Sequence, residues 1–164
     1  MRRSFIIALL LLCTVFCSCA RAQTPCKDIL NEIMYARDDL PDGNIYVSGE
    51  EEGSERYLSP QLIRTMYGDG ADELFELLED HAIYVSSFAS PCEIAIFRCY
   101  SSSDTYRIET MCISRIDELR VALRGTEFEE LCDSAITEIH GRYVLAVISK
   151  DSSTIISEAE KLIR

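Results

Sequence analysis

Two short, wholly apolar runs organise the alternation of hydrophobic and polar positions along this chain. Residues 94–97 (IAIF) lie between Pro91 and the polar stretch 101–104, and residues 143–148 (YVLAVI) lie between Ile139-His140-Gly141-Arg142 and the polar stretch 149–153. Runs this short fit buried strands, and a strand apolar on both sides needs cover on both faces of its sheet. Residues 82–100 as a whole read as two strands meeting at a turn. In both places a short strand, a turn, a more apolar strand and a polar cap precede an amphipathic helix. The chain therefore carries a weak internal repeat of ββα units, in which 94–97 corresponds to 145–148.

Helical spacing accounts for most of the remaining apolar residues. Thr24-Pro25 reads as a cap residue followed by proline at the first helical position, and Cys26, Ile29, Leu30, Ile33 and Met34 then share one face. Ser59-Pro60 repeats that signal ahead of Leu62, Ile63, Met66 and Tyr67, and Gly68-Asp69-Gly70 separates this helix from a second one carrying Leu74, Phe75, Leu77 and Leu78. Ile108, Cys112, Ile116, Leu119 and Leu123 form the inner face of a long helix over 104–123. Thr126 with Glu129 reads as a capping box, and Ile155, Ile156, Ala159, Leu162 and Ile163 form the stripe of a last helix. Residues 38–56, with Pro41-Asp42-Gly43 and Glu50-Glu51-Glu52, read as a solvated loop. These elements predict an α+β fold: an antiparallel sheet of about four strands from two ββα units, with N-terminal helices packed on the sheet. The two long helices are expected on one face and the N-terminal helices on part of the other.

With 164 residues, 48% hydrophobic and 27% charged, the chain suits one globular core. Part of the apolar fraction belongs to a leader. Met1-Arg2-Arg3 is a basic start, residues 5–16 an apolar stretch well short of the roughly 20 residues that span a bilayer, and Ala20-Arg21-Ala22 a cleavage pattern. This divides the chain into a signal peptide over 1–22, an N-terminal helix and acidic loop over 23–56, and the α+β domain over 57–164. Export is the expectation. Cys19 is the candidate for lipid attachment, as the alternative to cleavage before Gln23, although Phe16 stands where a lipoprotein signal usually has an aliphatic residue. No transmembrane helix is expected in the mature chain.

The net charge of −12 falls to about −15 once Arg2, Arg3 and Arg21 are removed, since 13 basic residues then face 28 acidic ones. Such a balance disfavours nucleic acid and an anionic membrane surface as partners. Five cysteines remain after the leader: Cys26, Cys92, Cys99, Cys112 and Cys132. They include no C-x-x-C pair and no zinc spacing, so each is a candidate disulfide partner or free thiol, with up to two disulfides in an oxidising compartment or five reduced thiols in an anaerobic one. Cys26 stands in the first turn of its helix, where the helix dipole lowers a thiol pKa.

It is on these elements that the chain resembles a known family. Tyr67-Gly68 after a short helix, the strand from Cys92 to Arg98, the long helix with Arg115, and the strand from Gly141 to Ile148 look like the extracytoplasmic bacterial family called domain of unknown function 4358. The resemblance covers residues 57–164. It implies a small exported protein or lipoprotein, typically from Gram-positive bacteria, and it carries over no catalytic residue.

Residue chemistry points the same way. His140 precedes glycine at a tight hairpin, and His81 sits where a residue capping the preceding helix would stand, so neither is set beside a nucleophile. Carboxylates are abundant with nothing to select a pair, and the serines lie in turns without a nucleophile elbow. No catalytic, cofactor-binding or metal-ligating set emerges, and no cofactor is expected. The favoured function is an exported non-catalytic interaction or ligand-binding domain for an extracytoplasmic protein, peptide or envelope component. The alternative is a thiol-dependent redox or hydrolytic enzyme using one of the five cysteines. Doubly apolar strands also leave a homodimer through the sheet open.

Overall fold

The computed structural model describes residues 23–87 and 90–163. The expected leader, with Cys13, Cys17 and the candidate lipidation residue Cys19, lies outside the described residues. In chain order the elements are α1 (Cys26–Tyr35), β1 (Gly43–Val47), α2 (Pro60–Tyr67), α3 (Ala71–Phe75), β2 (Leu78–Ser86), β3 (Glu93–Cys99), α4 (Thr105–Ala122), α5 (Glu129–Asp133), β4 (Ile136–His140), β5 (Tyr143–Ile148) and α6 (Ser152–Leu162). The fold is α+β. Its five strands form one antiparallel sheet in the order β1-β2-β3-β5-β4.

The two apolar runs are the centre of that sheet. β3 pairs with β5 so that Ala95 faces Ala146 and Ile96 faces Leu145, and both strands are buried almost throughout. Cover comes on both sides, as doubly apolar strands require. On one face Ile94, Ile96, Leu145 and Val147 pack against Ile29, Leu30 and Ile33 of α1 and Ile155, Ile156 and Ala159 of α6. On the other, Ala95, Phe97, Val144 and Ala146 pack against Ile63, Met66 and Tyr67 of α2 and Ile108, Met111 and Cys112 of α4. Both faces are thus closed within one chain, and no second copy is needed to cover them. Among the described residues no helix is long and apolar enough to cross a membrane.

Three expectations change here. The two long helices do not share a face: α4 lies on one and α6 on the other, each beside helices from the first half of the chain. Equivalent positions of the ββα repeat, such as Ile94 and Leu145, do share a face, so the repeat holds for its strands and fails for its helices. The connections differ too, residues 100–104 after β3 and 149–151 after β5. Secondly, the stretch read as a solvated loop contains β1, whose Val47 and Ile45 join the core against Ala82 and Tyr84. Gly43 opens that strand because a Cβ there would stand 2.8 Å from Ser86 Cα and closer still to the Val85 carbonyl oxygen. Residues 23–56 accordingly contribute a helix and a strand to the same core as the rest. Thirdly, Leu78 belongs to β2 and not to the preceding helix, which ends at Phe75.

Candidate functional site

The start of α1 has a cap that sequence spacing does not reveal. Thr24 was expected to cap the helix, but its hydroxyl donates to the Leu162 carbonyl at 2.7 Å, and the Cys26 backbone N–H donates instead to Asp80 Oδ2 of β2 at 2.7 Å. Asp80 also accepts from the Ser48 hydroxyl. Arg98, beside it on β3, donates to the Thr24 carbonyl at 3.3 Å and pairs with Glu79 at 3.4 Å. The Tyr143 hydroxyl donates to the same carbonyl at 2.6 Å. This cluster docks the chain near residue 24 onto the sheet.

Its effect on Cys26 is opposite to the expectation from the helix dipole. The thiol is fully buried, and burial, reinforced by the neighbouring Asp80 carboxylate, pushes its pKa well above the ordinary thiol range. A dipole at a helix start stabilises a thiolate only where solvent or a cation can share the charge. The other four cysteines are buried as well, and all five are free thiols. Burial raises the Cys92 and Cys99 thiols to about 11, and raises Cys112 and Cys132 also.

A second buried network lies on the opposite face. Glu93, 3% exposed, accepts from the Tyr67 hydroxyl at 2.8 Å and is 3.5 Å from Arg115 Nε. Burial pushes its carboxyl pKa up, against the pull of Arg115 and Tyr67. Tyr67 and Arg115 are both positions on which the family resemblance rests, and here they meet across three elements. The network joins α2 and α4 to the start of β3.

The histidines occupy different settings. His81 is inside β2 and not at a helix end: its ring packs edge-on against Phe75 at 5.4 Å, and its buried Nε2 has no hydrogen-bond partner among the described residues. Burial lowers its pKa to about 4. His140 ends β4 before the two-residue turn Gly141-Arg142, as the hairpin reading requires; Gly141 has a φ of 63°, the conformation that a two-residue turn favours at its first central position. Its Nε2 is 3.1 Å from Glu138 Oε2 and 3.1 Å from Glu160 Oε1 of α6. That pairing of residues from β4 and α6 was not legible in sequence, because no spacing links positions 138 and 140 to position 160.

A cleft of about 700 Å³ lies where the α1–β1 connection, the β2–β3 connection, α5 and the β5–α6 turn converge. Leu40, Pro41, Phe128 and Leu131 supply its apolar wall, and Cys92 lies in its floor, 2% exposed. Asp39, Glu127 and Glu130 stand at its exposed rim with Lys150. No histidine lines it. Sequence patterning missed this site because all its apolar wall except Leu131 comes from connections, where no periodicity marks it. An apolar wall with a few charged groups at its rim is the lining that a binding cleft typically has. The chain matches no family model, and neither the curated proteins nor the solved structures contain a significant match to it.

Proposed function

We propose that the chain is an exported, non-catalytic binding domain that takes a peptide or protein segment in the cleft beside α5. The observation that carries this reading is the cleft itself: it is large enough for two or three side chains and lacks a histidine, while the one thiol it contains is buried with a raised pKa. Three acidic groups against one lysine give it a negative rim, so the segment it suits places a basic residue next to an apolar one. Export is supported by the leader pattern over residues 1–22 and by the resemblance to the extracytoplasmic family, whose members act outside the cell membrane. The thiol-enzyme alternative gains nothing from the geometry, because an attacking sulfur has to be both accessible and ionised.

The test is a nuclear magnetic resonance titration of the isotope-labelled chain with short synthetic peptides that pair arginine or lysine with leucine or phenylalanine. Amide shifts confined to Leu40, Phe128, Leu131 and Lys150, and reduced by Phe128→Ala, are expected. Saturating peptide without shifts at these positions sinks the reading. Rapid native alkylation of Cys92 by iodoacetamide, faster than that of free cysteine, would instead restore the thiol enzyme.

A further inference from the structure

We propose that Glu138, His140 and Glu160 form a binding site for one divalent first-row transition-metal ion, with zinc as the representative case. The three residues are brought together by the fold. Glu138 and His140 alternate along the edge strand β4 and therefore project from the same face. Glu160 comes from the last turn of α6, which packs on that face.

The geometry around His140 goes beyond a simple ion pair. One imidazole nitrogen faces two carboxylate oxygens, each at 3.1 Å, and all three donor atoms lie within 4.8 Å of one another. A ring nitrogen carries at most one proton, so it cannot give both oxygens a full hydrogen bond. Two ligands each about 2.1 Å from a shared ion at the tetrahedral angle stand about 3.4 Å from each other, so both 3.1 Å contacts come within a few tenths of an ångström of a coordination arrangement. The ion takes the place that a proton would otherwise hold on Nε2.

Charge favours occupancy as well. Among the described residues neither carboxylate forms an ion pair with a lysine or arginine, and Glu160 stands at the negative end of its helix dipole. A nitrogen ligand with two carboxylates suits zinc or its first-row neighbours better than calcium or magnesium, which select oxygen. Glu138, His140 and Glu160 keep 43%, 28% and 40% of their side-chain surface exposed, so the remaining coordination positions face water and admit exchange. Two ligands sit on a hydrogen-bonded strand and the third on a packed helix, so little ordering is needed for binding. Bound metal would clasp the end of α6 to the sheet edge.

The experiment is isothermal titration of the chelator-treated chain with zinc chloride, alongside thermal melts with and without zinc and the visible spectrum of the cobalt-loaded chain. One zinc per chain is expected, with a rise in melting temperature and a cobalt spectrum free of thiolate charge-transfer bands. His140→Ala and Glu160→Gln should each weaken binding about 10-fold or more and abolish the zinc-dependent rise, since losing a ligand costs at least as much as losing a group that supports one. Glu118→Gln, on the exposed side of α4, should leave both unchanged. Absence of binding, binding that survives Glu160→Gln, or thiolate bands in the cobalt spectrum overturns the assignment. Glu160→Gln is nearly isosteric and keeps the helix, so the answer does not depend on the folding of His140→Ala.

Discussion

The two faces of the sheet each bury a polar cluster, one around Glu93 under α2 and α4, the other around Asp80 and Arg98 under α1. Glu93 is enclosed almost completely, with a hydrogen bond from Tyr67 and a longer one, 3.5 Å, from Arg115 Nε, and burial outweighs both, so its pKa rises. Asp80 and Arg98 keep about a tenth of their side-chain surface exposed, and each makes one hydrogen bond to the backbone at the start of α1, Asp80 accepting from residue 26 and Arg98 donating to residue 24. The first cluster cross-links secondary elements that are already formed; the second supplies the start of a helix with the cap its own sequence lacks. Loss of the first should be felt by the whole molecule, loss of the second mainly by α1.

The strongest way to break the comparison is Arg115→Met. It leaves the Glu93 carboxylate buried without its cation and should lower global stability by about 3 kcal/mol in chemical denaturation, whereas Arg115→Met combined with Glu93→Gln should recover most of that loss. Equal losses in the single and double variants would show that Arg115 acts by packing alone.

Acid is the next largest probe. His81 shares the Glu93 face, and its folded pKa of about 4 lies below the ordinary 6.5. The unfolded chain binds that proton more readily, so stability from this group is complete above pH 6.5 and declines as pH falls toward 4, by on the order of 3 kcal/mol in all. Glu93 works in the opposite direction, because a raised folded pKa favours the fold at low pH and loses that contribution as pH rises. Denaturation midpoints followed from pH 7 to pH 4 should therefore fall in the wild type and fall less in His81→Phe. At pH 7 the same variant should gain about 1 kcal/mol, through removal of a buried nitrogen without a partner. An unchanged pH profile would place the acid sensitivity elsewhere.

On the other face, Asp80→Ala should cost about 1–2 kcal/mol, the usual loss for a helix cap. Amide exchange should quicken at Cys26 and its neighbours in α1 while α4 remains protected. Exchange quickened evenly over both helices would mean that the two clusters do the same job.

The smallest effect concerns the thiols. Buried Cys99 and Cys112 should resist iodoacetamide until the chain is unfolded, with Cys92 at the floor of the cleft no faster than free cysteine. Modification of any of these in the native state, followed by intact-mass measurement, would reveal opening that the packing does not show.

What the sequence determined by itself is the sheet and its cover. Short apolar runs at 94–97 and 143–148 can satisfy their backbone only by pairing and their side chains only by burial on both faces, and Ser59-Pro60 sets the start of α2 through a local bond, Ser59 Oγ to the Leu62 N–H at 3.2 Å. Strand β1 escaped because a five-residue edge strand whose first two residues are exposed has too little periodicity to stand out from a loop. Tertiary structure alone decided which face each helix covers, because an amphipathic stripe records that a face must be buried and not against what. It also decided the chemistry. Asp80 caps a helix 54 residues away in sequence, Glu93 meets Tyr67 and Arg115 across 26 and 22 residues, and His140 meets Glu160 only because α6 returns along the sheet edge. Sequence spacing encodes neighbours within a helix or strand; contacts between elements depend on how the connections turn, and the short polar connections of this chain carry no periodic signal of their direction.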